Sequence, residues 1–412
     1  MKRNVIVGQS GGPTAAINSS LAGVYRTAKD RGANKVYGML HGIQGLLQER
    51  YLDLSEYITT ELDAELLKRT PAAFLGSCRF KLPEIHEDKG VYEKIFSILD
   101  KLDIEAFIYI GGNDSMDTIK KLSDYAIVTG HPTRFIGCPK TIDNDLALTD
   151  HTPGYGSAAK YIGTSVKEII RDSFCLEYNK GLVSIVEIMG RNAGWLTGAA
   201  ALAKGEDCEG PDLIYLPEIP FDLHAFSDKV KELLSRKPSV VVAVSEGIRT
   251  ADGTYVCELG SSIDFVDAFG HKQLSGTASY LASFIAGEIG CKTRAIELSS
   301  LQRSASHAAS RVDILEAYQV GGAAVKAADE GDSGKMVVLQ RLSDDPYQCG
   351  TEVKDVHKIA NDEKLVPREW VNEEGTGVTD EFVAYVRPLI QGDVSPVMVD
   401  GIPRHLFRPY NL

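Results

Sequence analysis

Short apolar runs that end in glycine alternate with longer amphipathic segments along most of this chain. Residues 5–8 are followed by the glycine-rich loop 9–13 and a helical pattern over 14–31, and residues 106–110 run into two glycines before a helical pattern that begins near Asp114. A strand-then-helix order of this kind predicts an α/β fold with mainly parallel sheets. In such folds the loops that carry function lie at the carboxyl ends of the strands.

Length and composition limit the architecture and the possible ligands. A chain of 412 residues with 43% hydrophobic residues can bury more than one core, so we expect two domains with the site in the cleft between them. The formal net charge of −13 argues against nucleic-acid and membrane partners. No run approaches about 18 apolar residues and the first residues show no cleavage site, so we expect a soluble, cytoplasmic protein with reduced cysteines.

Two glycine loops follow predicted strands. The first, Gly-Gln-Ser-Gly-Gly-Pro-Thr at 8–14, could bring backbone N–H groups close to a phosphate, but a plain strand-to-helix turn explains it equally well. The second, Gly-Gly-Asn-Asp-Ser at 111–115, adds polar side chains at a predicted helix start. Asp114 or Ser115 could be simple N-caps, although paired glycines at a strand end favour a role in binding.

The segment Pro-Lys-Thr-Ile-Asp-Asn-Asp at 139–145 is the strongest candidate for the site of a reaction. One of its two carboxylates, Asp143 or Asp145, could accept a proton from a substrate hydroxyl while the other helps to hold a divalent cation. The alternative is a turn in which Asp143 and Asn144 only satisfy backbone donors. The neighbouring Lys140 and His151 favour the reactive interpretation.

Several motifs together resemble the 6-phosphofructokinase family. Besides 111–115 and 139–145, the likeness rests on Thr-Asp-His-Thr-Pro-Gly-Tyr-Gly at 149–156, Met-Gly-Arg-Asn-Ala-Gly-Trp at 189–195, Ser-Glu-Gly at 245–247 and Gln-Arg at 302–303. It spans most of residues 1–340 and is stronger for the pyrophosphate-dependent branch. ATP-using relatives typically carry glycine where this chain has Asp114 and Lys140. An aspartate there would repel the α-phosphate of a nucleotide, whereas a lysine can reach a pyrophosphate.

The resemblance implies a role for each matching residue. Asp143 would be the general base for the 1-hydroxyl of fructose 6-phosphate, Thr141 would lie beside the transferred phosphoryl group, and Lys140 would neutralise the donor and the transition state. Asp114 and Asp145 would lie near Mg²⁺, the expected cofactor. Pyrophosphate would be bound by Gly11, Gly12, Arg79, Asp114 and Lys140. The sugar phosphate would be bound by Thr141, Asp143, Asp145, Met189, Gly190, Arg191, Glu246, Arg303, Arg311 and Tyr318. Surface ion pairing is the alternative for Arg191 and Arg303.

The resemblance also implies two Rossmann-like domains and a homodimer or homotetramer. The donor domain would comprise 1–154 with about 311–365, and the sugar-phosphate domain 155–310. The prolines after 366 indicate an irregular C-terminal appendage at 366–412. Asn113 departs from the pattern, because many relatives have a metal-associated aspartate there. Two alternatives remain open: an ATP-dependent sugar-phosphate kinase on the same scaffold, and a non-catalytic regulatory subunit that binds sugar phosphate.

Overall fold

Strands and helices alternate through the computed structural model, which describes residues 1–260, 274–359 and 363–409. The strands are β1 (Asn4–Gln9), β2 (Val36–Met39), β3 (Tyr51–Asp53), β4 (Ile104–Gly111), β5 (Arg134–Pro139), β6 (Leu182–Ile188), β7 (Leu213–Tyr215), β8 (Ser239–Ser245), β9 (Lys292–Glu297), β10 (Lys335–Asp344), β11 (Tyr347–Asp355), β12 (Met398–Val399) and β13 (Ile402–Pro403). The α-helices are α1 (Ile17–Asp30), α2 (Gly42–Leu46), α3 (Glu61–Arg69), α4 (Lys89–Lys101), α5 (Asn113–Thr129), α6 (Tyr155–Phe174), α7 (Trp195–Gly198), α8 (Leu223–Leu234), α9 (Thr277–Ile289), α10 (Leu301–Ser304), α11 (Arg311–Glu330) and α12 (Asp380–Val386). Short 3-10 helices lie at Leu54–Glu56, Ala199–Ala203, Val256–Leu259, Ser306–Ala308, Val356–Lys358, Arg368–Trp370 and Arg387–Ile390.

The larger sheet has seven strands in the order β11-β10-β5-β4-β1-β2-β3. Its inner strands pair in parallel, and the edge strands β3 and β11 are antiparallel to their neighbours. One face is covered by a core that includes Leu21 of α1 and Val320 of α11, and the other by a core that includes Ile95 of α4 and Ile119 of α5. Both faces of this sheet are therefore buried, which accounts for the continuous apolar runs of its inner strands.

Helices α1 and α11 touch backbone to backbone on that sheet. A side chain at Gly23 would lie 2.1 Å from the carbonyl oxygen of Tyr318, and one at Gly321 would lie 2.0 Å from the carbonyl oxygen of Ser20. Only glycine permits this approach, because any β-carbon would overlap the facing helix. The contact fixes α11, which follows residue 310, against the first helix of the chain.

The smaller sheet has four parallel strands in the order β7-β8-β6-β9. Helices α8 and α9 contribute to the core on one face, and α6 with the segment after residue 365 contributes to the core on the other. In the latter core, Phe382 is fully buried and stacks on Trp195, with ring centroids 5.9 Å apart. The C-terminal part of the chain is thus built into the core of the smaller sheet.

The predicted α/β fold class with mainly parallel sheets is confirmed, and the differences are local. The first helix begins at Ile17 rather than near Thr14, because the Thr14 hydroxyl accepts hydrogen bonds from the N–H groups of Ala16 and Ile17 and holds a turn there. The described part of the segment after 366 is more regular than its prolines suggest, since it contains α12 and two 3-10 helices. The predicted domain ranges also include residues 261–273, 360–362 and 410–412, which lie outside the described residues. None of the described helices combines the length and the apolar character needed to span a bilayer.

Candidate active site

A cavity of about 480 Å³ opens where β1, β4 and β5 of the larger sheet and β6 and β8 of the smaller sheet end. Because these are carboxyl ends of parallel strands, the cavity lies in the cleft that the α/β pattern predicts. It is lined by these residues predicted from the sequence: Gly11, Gly12, Arg79, Asp114, Lys140, Thr141, Asp143, Asp145, Met189, Arg191, Glu246 and Arg303.

Lys140 is the buried cation of the cavity, with only 3% of its surface exposed. It follows β5, its N–H donates to the carbonyl oxygen of Gly111 at 3.0 Å, and its Nζ donates to that of Gly12 at 2.7 Å. Gly11 has φ +75°, and a β-carbon there would lie 3.2 Å from Nζ, so glycine leaves room for the ammonium group. Burial lowers the pKa of Lys140 to about 8, although the charges of Asp143 and Asp145 partly offset that effect.

The second glycine loop leads directly into α5. Gly112 is the N-cap and no side chain caps the helix, so the interpretation of Asp114 or Ser115 as an N-cap is wrong. The N–H groups of the first turn point along the helix axis and favour negative charge near them. The Oδ1 atom of Asn113 in this turn is buried and accepts no hydrogen bond from the described part of the chain.

The two carboxylates of the 139–145 segment both line the cavity. The Thr141 hydroxyl accepts a hydrogen bond from the N–H of Asp143 at 3.0 Å and lies 3.3 Å from its Oδ2, which fixes the start of the loop. Burial raises the pKa of Asp143, and the charge of Lys140 opposes that shift. Burial and the charge of Asp143 raise the pKa of Asp145 to about 7. The segment 139–145 therefore combines one cation, Lys140, with two carboxylates of perturbed pKa, an arrangement typical of reactive sites.

The other side of the cavity is built by the loops after β6 and β8 and by α10. The N–H of Gly190 lies 3.5 Å from Oε1 of Glu246, whose pKa is raised to about 8 by burial and by the charge of Asp143. Arg303 of α10 reaches across to the glycine loop, where a β-carbon at Gly12 would lie 3.5 Å from its Nη1. Burial and the charge of Arg79 lower the pKa of Arg303. The cavity therefore offers the basic residues Arg79, Lys140, Arg191 and Arg303 beside its carboxylates, in a chain with a negative net charge.

Three of the predicted residues do not line the cavity. Gly190 lies beside it, with φ +134°, and contributes its backbone N–H to Glu246. Arg311 is exposed at the start of α11, where its N–H donates to the carbonyl oxygen of Gly392. Tyr318 faces α1 and α3, with Lys68 4.2 Å above its ring. Within one chain the helix α11 presents Arg311 and Tyr318 to surfaces outside the cavity, so their assignment to the sugar phosphate stays a prediction.

His151 forms a buried polar network beside the 139–145 segment. Its Nδ1 lies 2.8 Å from Oδ1 of Asp150 and its Nε2 lies 2.7 Å from Oε2 of Glu316. Burial alone would lower the pKa of His151, but the hydrogen bonds to these two carboxylates outweigh it and raise the pKa. Glu316 also accepts a hydrogen bond from the hydroxyl of Tyr347. Both ring nitrogens are engaged, so this histidine ties α11 to the loop before α6.

Comparison with known proteins identifies the family. The model of the family described as Phosphofructokinase matches residues 4–328. The chain belongs to the phosphofructokinase family. It is 40% identical to the pyrophosphate--fructose 6-phosphate 1-phosphotransferase of Halomonas elongata, covering 98% of this chain and 95% of the relative, and 42% identical to the protein of the same name from Xanthomonas campestris pv. campestris, with the same coverage. A solved pyrophosphate-dependent phosphofructokinase from Nitrosospira multiformis has a TM-score of 0.88 and 35% identity, covering 99% of this chain and 97% of that one.

Phosphofructokinases are phosphotransferases that generally use a divalent metal ion, and the residues of this family member fit one. Asn113, whose Oδ1 accepts no hydrogen bond from the described residues, lines the same cavity as Asp114 and Asp145. Carboxylate and amide oxygens are the ligands that hard divalent cations prefer. The amide oxygen of Asn113 is therefore compatible with a divalent cation, although it lacks the charge of an aspartate.

Two groups of cavity residues were missed by sequence reasoning. Ser10 lies in the first glycine loop, and Asn113 and Asn192 lie within motifs of the phosphofructokinase pattern, so their position in these segments is a usable signal. Glu363 carried no such signal, because it lies in an aperiodic segment more than 200 residues after the 139–145 motif. Its carboxylate accepts hydrogen bonds from Nδ2 of Asn192 at 3.0 and 3.3 Å. The C-terminal part of the chain thus reaches the active-site cavity.

Proposed function

We propose that this phosphofructokinase catalyses the reversible, Mg²⁺-dependent transfer of a phosphoryl group from pyrophosphate to the 1-hydroxyl of fructose 6-phosphate, giving fructose 1,6-bisphosphate and phosphate. The names of the related proteins support the reaction. The observation that carries the choice of donor is the pair formed by Lys140, buried against the glycine loop, and Asp114, on the first turn of α5.

The donor is selected by attraction and by exclusion. The ammonium group of Lys140 reaches Gly12 in the loop that would bind the donor, so it offers a positive charge where pyrophosphate carries its negative charge. Asp114 is exposed on the wall of the same cavity. In ATP-using relatives with glycine at both positions, this space is open for the α-phosphate of the nucleotide. Here an aspartate would repel that phosphate, and the lysine side chain would fill part of the space.

Asp143 is the proposed general base. It takes the proton from the 1-hydroxyl as that oxygen attacks the phosphorus atom, and its raised pKa makes it a stronger base than an exposed aspartate. Thr141 orients it through the hydrogen bonds at 3.0 and 3.3 Å. Lys140 stabilises the charge on the transferred group and on the leaving phosphate.

Asp114 and Asp145, together with the oxygen of Asn113, would hold the metal. When bound, Mg²⁺ neutralises charge on the oxygens of the transferred phosphoryl group. The ligand set, with two carboxylates and one amide oxygen, supports a hard ion of this kind.

Residues from the smaller sheet would hold the sugar phosphate. The pKa of Glu246 is about 8, so at neutral pH its carboxyl group carries a proton that it can donate to a sugar hydroxyl oxygen. Met189, Arg191 and the backbone of Gly190 would contact the sugar, while Arg303 would pair with oxygens of the 6-phosphate. We accordingly assign 1–154 with 311–365 to the donor and 155–310 to the sugar phosphate.

The test is the rate of fructose 1,6-bisphosphate formation by purified protein with Mg²⁺, fructose 6-phosphate and either pyrophosphate or ATP. We expect turnover with pyrophosphate alone. Turnover with ATP alone would overturn the choice of donor, and no turnover with either would favour a non-catalytic sugar-phosphate-binding subunit. The double variant Asp114→Gly/Lys140→Gly then tests the exclusion argument, which fails if the variant uses ATP no better than the unaltered protein.

We also propose that the protein acts in the cytoplasm as a homodimer or homotetramer, without nucleic-acid or membrane partners. The resemblance of its motifs to the family supports the homo-oligomer. The net charge of −13 argues against binding to nucleic acids or anionic membranes. Sedimentation velocity at several protein concentrations tests the assembly, and a monomer at micromolar concentration contradicts it.

A further inference from the structure

Residues 363–366, which we call the strap, touch both halves of the active site. The N–H of Lys364 donates to the carbonyl oxygen of Asp145 at 2.7 Å, and the carbonyl oxygen of Lys364 accepts a hydrogen bond from Nε1 of Trp195 at 2.8 Å. Asp145 belongs to the loop after β5, and Trp195 follows the loop after β6. The strap therefore connects the loop that carries the carboxylates with the sugar-phosphate side.

The ammonium group of Lys364 is directed at the loop behind the two carboxylates. Its Nζ donates to the carbonyl oxygen of Asp150 at 2.6 Å and to that of Thr149 at 3.3 Å, and it lies 3.4 Å from Oδ1 of Asn144. It also lies 5.1 Å from the ring centroid of Trp195. A partly buried cation that contacts three oxygens of one loop restricts that loop strongly, since hydrogen bonds to charged groups are the stronger kind.

Tyr385 of α12 holds the same loop from a second direction. Its hydroxyl donates to the carbonyl oxygen of Asp150 at 2.7 Å and accepts a hydrogen bond from Nδ2 of Asn144 at 2.9 Å. Lys364 and Tyr385 thus share two partners, although they are separated by 20 intervening residues of chain.

Asn144 is the residue on which these contacts converge. It is fully buried, it has φ +56°, and it lies between Asp143 and Asp145 in the sequence. A non-glycine residue in the left-handed region persists where the surrounding structure holds it. Its side chain is fixed by Lys364 and Tyr385, and its Oδ1 also accepts a hydrogen bond from the N–H of Thr152.

We propose that Lys364 and Tyr385 are positioning residues for the phosphoryl transfer: from the C-terminal part of the chain they fix the turn at Asn144 and so aim Asp143 and Asp145 into the cavity. This inference rests on the proposed function. Neither side chain is among the described residues that line the cavity, so neither contacts the substrates directly. Their removal should lower kcat, because the base is displaced, and leave the KM values for both substrates nearly unchanged.

The first test replaces Lys364 with methionine, which keeps an unbranched side chain only one atom shorter and removes the charge. We expect kcat with pyrophosphate to fall about 10- to 100-fold, because small displacements of a reactive group have effects of that size. The KM values should stay within about threefold. Lys160→Met is the matched control, since Lys160 also donates to a C-terminal carbonyl oxygen, that of Gly392, but lies outside the site. Equal effects of the two substitutions, or a change confined to KM, would refute the inference.

Tyr385→Phe provides a second variant that removes one oxygen atom and folds even if the Lys364 variant does not. Loss of its hydrogen bonds should lower kcat about 3- to 10-fold with unchanged KM. Hydrogen exchange gives a readout that does not require activity: amides of residues 143–152 should exchange faster in either variant and not in Lys160→Met. Unchanged exchange there would overturn the proposed positioning. If the unaltered protein does not use pyrophosphate, the proposed function fails, and the exchange experiment still decides whether the strap fixes the loop.

Discussion

Replacement of Lys140 with methionine should abolish most of the activity without unfolding the protein. Lys140 is 3% exposed and its Nζ lies 2.7 Å from the carbonyl oxygen of Gly12 in the donor loop, so water screens its charge only weakly. For two unit charges about 4 Å apart at an effective dielectric constant of about 20, the interaction is roughly 4 kcal/mol. Loss of that amount from the transition state corresponds to a rate about 10³-fold lower.

The same variant should be at least as stable as the unaltered protein, so its free energy of unfolding should rise or stay the same. Burial lowers the pKa of Lys140 to about 8, which means that the folded state disfavours its charge, and methionine removes that cost. The assay is kcat and KM for pyrophosphate and fructose 6-phosphate, measured beside urea unfolding. Lys89→Met is the control, since Lys89 is exposed on α4. A kcat/KM for pyrophosphate within tenfold of the unaltered protein would refute the role of the charge, and a large loss of stability would refute the account of its burial.

Three further outcomes follow from the described contacts. Asp143→Asn should lower kcat about 10³-fold, measured with pyrophosphate, because an amide cannot take the proton; an unchanged kcat would remove Asp143 from the role of base. Phe382→Ala should lower the free energy of unfolding by about 3–5 kcal/mol in urea, because a fully buried ring is lost, whereas Phe407→Ala at an exposed position should change it little. The pKa of His151 is raised in the folded state. Its stabilising contribution is therefore complete below a pH of about 6.5 and is lost as the pH rises through the folded value. His151→Gln should flatten that part of the curve of unfolding free energy against pH.

The parts of the site that could be predicted are those in which chemistry and sequence adjacency coincide. Lys140, Thr141, Asp143 and Asp145 lie within six residues of one another after a strand, so strand-end geometry alone brings them to one cavity. The sequence could not indicate which face of a helix is turned to the site. The assignment of Arg311 and Tyr318 to the sugar phosphate is of this kind, because within one chain α11 presents both outside the cavity.

The sequence also does not indicate that the C-terminal part of the chain contributes to the core and to the site. The parallel sheets follow from the apolar runs, but the contribution of the C-terminal part depends on contacts between distant residues. Lys364 meets Asp150 across more than 200 residues, and Phe382 stacks on Trp195 across almost as many. Contacts between such distant residues produce no periodic pattern in the sequence, and the prolines near the C-terminal partners suggest irregular structure. Their existence becomes visible only when the two ends of the contact are placed in space.

The order of strands in the larger sheet has a consequence for how the protein is made. β1 and β4 lie at the centre of that sheet, but β10 beside β5, and α11 against α1, come from residues after 310. The core of the smaller sheet likewise takes Phe382 and Val386 from α12. When a ribosome has synthesised the first 300 residues, the core formed with α8 and α9 is complete, but the core under α1 and the core around Trp195 still lack their late residues. Both apolar surfaces stay open until the last quarter of the chain emerges, which makes this late segment the step that commits both halves to their native state.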